Sequence, residues 1–163
     1  VGDGDTDTKG KVQLATTAEA QAKTSTTKVM TPATTEAQIK RKTENFTIAL
    51  SGETADVAAA EQSIAQFYMP YAFTITSVKA SAYTAPAGSA ISIKITQGGE
   101  SIFSDSLLQI PSGSAVSNAE YGFAEDASSV NIANGTKMDF IIEGVGSETA
   151  GQGLKVYILG YQQ

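Results

Sequence analysis

The chain has 163 residues, a formal net charge of −6 at pH 7, and no Cys, His or Trp. Disulfide bonds, Cys/His zinc sites and Ser-His-Asp or Cys-His catalysis are therefore excluded. No window approaches the ~18 continuous apolar residues of a membrane span, so we expect no membrane insertion. Positions 46–163 carry four Lys against eleven Asp/Glu, so we expect no nucleic-acid binding through bulk charge.

Apolar residues are distributed unevenly along the chain. All six Phe and all six Tyr lie at or after Phe46, and positions 46–163 hold 37 large apolar side chains against five in positions 10–44. We predict a flexible lead-in over 1–9, a second segment over 10–44 and a globular domain over 45–163. Because the chain begins at Val1 rather than Met, we also expect residues upstream of it in the full protein.

The lead-in contains alternating carboxylates, Asp3, Asp5 and Asp7. They match the start of an EF-hand calcium loop, but the Gly and the bidentate Glu that the loop requires fall on Thr8 and Leu14. We interpret the stretch as a solvated linker and predict no metal site.

Positions 10–44 contain two helix-start signals. Thr16 and Glu19 have capping-box spacing, and Thr31 followed by Pro32 is typical of an N-cap and first helical residue. Burying the five large apolar side chains of this segment would contribute ~1.5–3 kcal/mol each. Spread over positions 1–45 this is about 0.2–0.3 kcal/mol per residue, too little to offset an ordering cost of roughly 1–2 kcal/mol per residue. We expect the segment alone not to be compact, and predict a core shared with other copies through Val12, Leu14, Val29, Met30 and Ile39.

The same stretch, GKVQLATTAEAQA followed by VMTPATTEA, resembles a short repeat of bacteriophage fibre proteins of the form G-x-V-x-L-A-T, A-E-A-x-x-G, A-V-T-P. The chain departs from the repeat at Lys23, where Gly is usual, and at Met30, which stands between Val29 and Thr31. The resemblance implies a trimeric phage appendage in which positions 10–44 form a partly helical collar or stalk.

From position 45 onward the period changes to strict alternation. Ile91, Ile93 and Ile95 alternate with polar residues, and similar runs recur at about 8–12 residue spacing, which indicates an antiparallel β-sandwich or barrel. We favour a jelly-roll-like sandwich. Turn residues predict hairpins at 97–100, at 134–135 and in the glycine-rich stretch 144–153.

This second half resembles the C-terminal β-domain that follows such repeats in many phage fibre and virion-structural proteins. The resemblance lies in QFYMPYAFTITSVKASAYTAPAGSAISIKI and in IIEGVGSETAGQGLKVYILG. Together the two resemblances cover most of the chain.

Enzyme chemistry is limited to carboxylate pairs, the requirement of glycosidases. The acidic residues available are Asp139, Glu143, Glu120, Glu125 and Asp126. Asp139 alternates with Met138 and Phe140 on a predicted strand, so we expect it to face solvent as surface charge. The glycine-rich stretch has no Lys-Ser/Thr after its glycines and is not a phosphate loop. We predict no enzymatic activity and no cofactor.

Exposed tyrosines beside amide and hydroxyl groups are typical of sugar-binding faces. The receptor-binding candidates on this criterion are Tyr83, Ser117, Asn118, Tyr121 and Tyr161, and for each tyrosine core or interface packing remains the alternative.

The resemblances imply a non-enzymatic phage virion fibre protein. As an external appendage of the particle, it would be a homotrimer that attaches to other virion proteins through its N-terminal side and to a host-surface glycan or protein through its head. The alternatives are a capsid-decorating head fibre and, third, a glycan depolymerase.

Overall fold

The computed structural model describes residues 13–23, 28–40, 42–104, 107–118 and 129–163. It divides the chain into two units, Val1–Lys42 and Thr43–Gln163, close to the predicted boundary at 44/45. The predicted lead-in, the trimer-core candidate Val12 and the receptor candidate Tyr121 lie outside the described residues, as do Glu120, Glu125 and Asp126.

The first unit contains helix α1, Thr17–Ala22, and helix α2, Pro32–Lys40. The predicted capping box is confirmed: the N–H of Glu19 donates to Thr16 Oγ1 (3.2 Å), and the N–H of Thr16 donates back to Glu19 Oε2 (3.0 Å). The start of α2 at Pro32 is also confirmed. There Thr31 and Thr34 cap each other, since each N–H donates to the other hydroxyl, at 2.8 and 3.2 Å.

A parallel bridge joins the segments that precede the two helices. The N–H of Ala15 donates to Val29 O and the N–H of Val29 donates to Gln13 O, both at 2.9 Å. The buried described residues of the unit are small, namely Ala15, Ala20 and Thr34. The larger apolar side chains are therefore left at the surface of the single chain.

Lys23 ends α1 in the left-handed region, with φ 55° and ψ 30°. A side chain destabilises this conformation whereas glycine adopts it freely, so glycine would be the more favourable residue at this position. We expect Lys23→Gly to stabilise α1 by about 1 kcal/mol, measured as slower amide hydrogen exchange in the helix. Lys23→Ala is the control, and equal exchange in the two variants would contradict the explanation.

Glu19 is half-buried and makes several polar contacts. Lys28 Nζ lies 2.6 Å from its Oε1, and this bond, followed by those from Thr16, lowers the pKa of Glu19 to about 2. The stabilisation that the Glu19 carboxylate gives the folded first unit through these bonds is thus present above pH ~4.5. It is lost as the pH falls towards 2. We expect a carbon-detected NMR titration to give a midpoint near 2 that moves towards 4.5 in Lys28→Met. A midpoint near 4.5 in the unaltered chain would contradict the assignment.

The second unit is built from antiparallel strands. Their bounds are β1 Glu44–Ala49, β2 Ala65–Tyr68, β3 Phe73–Ser81, β4 Ile91–Gln97, β5 Glu100–Ser101, β6 Leu108–Ile110, β7 Val130–Ile132, β8 Lys137–Gly144 and β9 Lys155–Gln162. One sheet has the order β1-β9-β3-β7. The other has the order β2-β8-β4-β5, with β6 also paired to β4. The chain is thus mostly β, and its two sheets are compatible with a β-sandwich.

One hydrophobic core is shared by the two sheets. The first sheet contributes buried side chains such as Phe73 and Ile158, and the second contributes Ile95 and Phe140. Phe46 packs edge-on against Phe73, with ring centroids 5.1 Å apart. Alternation places these side chains inward, so the intervening residues form the outer face of each sheet.

Two of the three predicted hairpins are wrong. The hairpin at 97–100 is confirmed, since β4 pairs with β5. The turn at Asn134–Gly135, however, joins β7 of the first sheet to β8 of the second, and the glycine-rich stretch 144–153 takes the chain back to β9 of the first. Turn residues reverse the chain direction but do not determine which strand the returning segment pairs with.

Candidate ligand-binding face

The outer face of the four-stranded sheet carries tyrosine and lysine side chains on neighbouring strands. In the register, Tyr157 of β9 lies opposite Lys79 of β3, and Lys155 lies opposite Ser81. The residues between them on both strands are buried. Tyr83 follows the buried Ala82 and is 68% exposed, so it extends the same face. We call Lys79, Ser81, Tyr83, Lys155 and Tyr157 the tyrosine face.

Polar contacts fix the position of Tyr157 and Lys155. The hydroxyls of Tyr157 and Ser81 lie 3.0 Å apart, within hydrogen-bond distance. Lys155 Nζ lies 2.7 Å from Glu53 Oε2, and this bond raises the pKa of Lys155, with a smaller contribution from Tyr157. Both side chains are therefore held in place before any ligand arrives.

The backbone beneath Tyr83 is closely packed. Its N–H donates to Gln152 O (2.8 Å), and the Gln152 side chain accepts from Thr84 Oγ1 (3.1 Å) and donates to Asp56 Oδ1 (2.9 Å). A Cβ at Gly153 would lie 2.6 Å from Tyr83 Cβ, so this position needs glycine. An exposed ring on a fixed backbone loses little conformational entropy when it binds.

Ser117 and Asn118 lie beside the C-terminal end of β3, beyond the part of β3 that pairs with β7. Ser117 Oγ accepts from the N–H of Ala80 and the N–H of Ser117 donates to Ala80 O, both at 2.9 Å. The hydroxyl predicted to contact a receptor thus extends the sheet. Asn118 is exposed, and Val116, which is bridged to Ser81, is 60% exposed beside the tyrosine face.

Tyr161 lies far from the other candidates. It pairs with Thr74 at the opposite end of β3, nine residues from Tyr83, which is about 30 Å at ~3.3 Å per residue. The structure therefore brings Tyr83 and the segment 116–118 to one end of the sheet and leaves Tyr161 at the other.

Tyr157, Lys79 and Lys155 are absent from the sequence-based candidates. Alternation with Val156 and Ile158 already indicates that Tyr157 points outward. Its placement beside Lys79 depends on the pairing of β9 with β3, which lie far apart in the sequence. No local pattern reveals that register.

The outer face of the other sheet carries the acidic residues. Asp139 points outward as predicted but is only 8% exposed, so the prediction that it faces solvent is wrong. It lies on β8 between β2 and β4, opposite the buried Thr96. The ammonium of Lys137 lies 3.0 Å from Asp139 Oδ1, an ion-pair distance, although this oxygen accepts no hydrogen bond within the described chain.

Two cavities open on the second unit. One, of about 380 Å³, is lined partly by Glu61, Lys94 and Glu143; the other, of about 360 Å³, lies between β1 and β2 and is lined partly by Phe46 and Phe67.

Among the described residues, no cluster of three acidic side chains could hold a metal ion. None of the described helices is long and apolar enough to cross a membrane.

No protein-family model, curated protein or solved structure matches this chain. Its function therefore has to be inferred from its own residues.

Proposed function

We propose that the chain is a non-enzymatic virion fibre protein of a bacteriophage. It assembles as a homotrimer, with positions 10–44 as the collar and positions 45–163 as a jelly-roll head. It stands on the outside of the particle, attaches to other virion proteins through its N-terminal side and binds host-surface glycans through the head.

The observation that carries the proposal is the exposure of the predicted trimer-core residues. In the single chain Leu14 is 58% exposed, Val29 53%, Met30 37% and Ile39 66%. They belong to a unit whose helix caps and bridge are already formed. Covering each side chain contributes up to ~1.5–3 kcal/mol, so association of several copies through this surface is favourable. The number three comes from the fibre resemblance.

The strand order supports the jelly-roll assignment. If β5 and β6, which pair with successive parts of β4, are counted as one interrupted strand, the described residues of the second unit form eight strands. The first, last, third and sixth of these form one sheet, and the second, seventh, fourth and fifth form the other. This is the two-sheet order of a jelly roll, a fold common in viral capsid and lectin domains.

The tyrosine face supports attachment through glycans. It combines aromatic rings with hydroxyl and ammonium groups. Four of its residues lie on β3 and β9, and Tyr83 follows the end of β3 by two residues. A trimer would present three copies of the face. Three weak sites on one particle gain avidity through effective concentration.

Competition for adsorption tests the proposal. We expect the purified chain to block adsorption of the phage that encodes it, and Tyr83→Ala to block less well, with Tyr68→Ala, another exposed tyrosine, as the control. If adsorption is unaffected and phages lacking the protein still infect, attachment is wrong and a capsid-decorating fibre is the better assignment.

A further inference from the structure

We propose that the tyrosine face binds an acidic polysaccharide, a glycan chain bearing uronic acid carboxylates. This inference rests on the proposed function and names the ligand class of the same site. The charge of the face and the placement of its rings both favour such a ligand.

Lys79 differs from the other lysines of this acidic unit in having no ion pair with any residue that the structure describes. Of the four Lys in positions 43–163, the other three lie within ion-pair distance of a carboxylate, as Lys94 with Glu143 (3.7 Å), Lys137 with Asp139 (3.0 Å) and Lys155 with Glu53 (2.7 Å). Lys79 is exposed, and within the described part of the chain it has no ion pair. An anionic ligand would supply the missing partner.

Carboxylates are absent from the outward positions of this sheet. Its four strands contain a single acidic residue, Glu44. Glu44 alternates with the exposed Asn45 and therefore points to the inner side of the sheet. There its carboxylate accepts a 2.5 Å hydrogen bond from the hydroxyl of Tyr71, which packs against the core. The opposite sheet, by contrast, carries Asp139 and Glu143 on its outer face. Glu53 reaches the face from outside these strands, but its carboxylate is paired with Lys155 (2.7 Å). An anion that approaches Lys79 therefore meets no outward carboxylate of the sheet itself, despite the net charge of −6.

The rings are placed for a sugar chain rather than for a simple anion. Tyr157 lies directly opposite Lys79, and its hydroxyl is held 3.0 Å from that of Ser81. Tyr83 is two residues beyond Ser81, the last residue of β3, and so lies at most about 7 Å further along the chain at ~3.3 Å per residue. A glycan lying along β3 could place its apolar C–H faces on the rings and a carboxylate on the Lys79 ammonium. A neutral glycan would leave Lys79 unpaired.

Three probes separate the contributions to binding by the full chain. Alginate oligosaccharides supply sugar rings with carboxylates, dextran supplies rings alone, and polyglutamate supplies carboxylates alone. We expect calorimetry at low salt to detect binding of alginate only. Lys79→Gln and Tyr83→Ala should each weaken it by about tenfold. Lys94→Gln, which removes a lysine from the other sheet, should leave the affinity unchanged.

Several outcomes would overturn the proposal. Absence of alginate binding, equal binding of polyglutamate, or unchanged affinity in Lys79→Gln would each do so. So would a change in oligomeric mass on substitution of Lys79, because the face would then be an interface between copies. If Lys79→Gln still blocks phage adsorption as well as the unaltered chain, the fibre proposal stands and only the acidic-glycan assignment fails.

Discussion

Gly160→Ala is expected to destabilise the second unit by about 3 kcal/mol or more. Gly160 lies in β9, which pairs with both β1 and β3. A Cβ at this position would lie 1.9 Å from Thr74 O and 2.6 Å from Phe73 Cε1. Because the first obstacle is backbone of the neighbouring strand, relief requires the strands to separate, at the upper end of overpacking costs. Urea unfolding followed by circular dichroism measures the loss.

Gly144→Ala is the matched control for this prediction. Gly144 also lies in a strand, and the nearest atoms to an added Cβ are those of Ser92 at 3.6 Å, ordinary van der Waals contact. We expect its free energy of unfolding to stay within about 1 kcal/mol of the unaltered chain. Equal destabilisation by the two substitutions would show that the close approach of β9 and β3 is wrong.

Replacing both Leu14 and Val29 by Asp is expected to abolish the proposed trimer while leaving the head folded. The two residues are bridge partners and both are more than half exposed in the single chain. In a shared core each Asp would bury an unpaired charge, at a cost of several kcal/mol per charge. Sedimentation velocity should show monomer, with thermal unfolding of the second unit unchanged.

Gln13→Asp controls for added charge next to the same bridge. Gln13 is exposed and lies outside the predicted shared core, so this variant should sediment as a trimer. If the double Asp variant also remains trimeric, the exposed apolar residues of the first unit do not hold the copies together.

Local chemistry accounts for the features that could be predicted from the sequence. The capping box of Thr16 and Glu19 and the start of α2 at Pro32 depend on residues within four positions of one another, and both are confirmed. Alternation likewise gives the inward set of β4. Alternation does not set the length of the strand that follows the 97–100 hairpin, since β5 covers only Glu100–Ser101 and Leu108–Ile110 pairs with β4 separately as β6.

Pairing between distant strands explains what the sequence did not reveal. Glycine-containing turns lead to a hairpin at 97–100 but to a crossing between sheets at 134–135. Only burial of both inner faces in one core selects between these outcomes. For the same reason the neighbours Lys79 and Tyr157, which are 78 positions apart, emerge from the register of β3 with β9 and not from either segment alone.

The mass of the unaltered chain in solution tests the fibre account most directly. Light scattering on residues 1–163 over a range of dilutions should give three times 16.9 kDa, about 51 kDa. A mass of 16.9 kDa at every concentration would contradict self-assembly, and would leave a single β-domain whose N-terminal unit exposes its apolar residues without a partner copy.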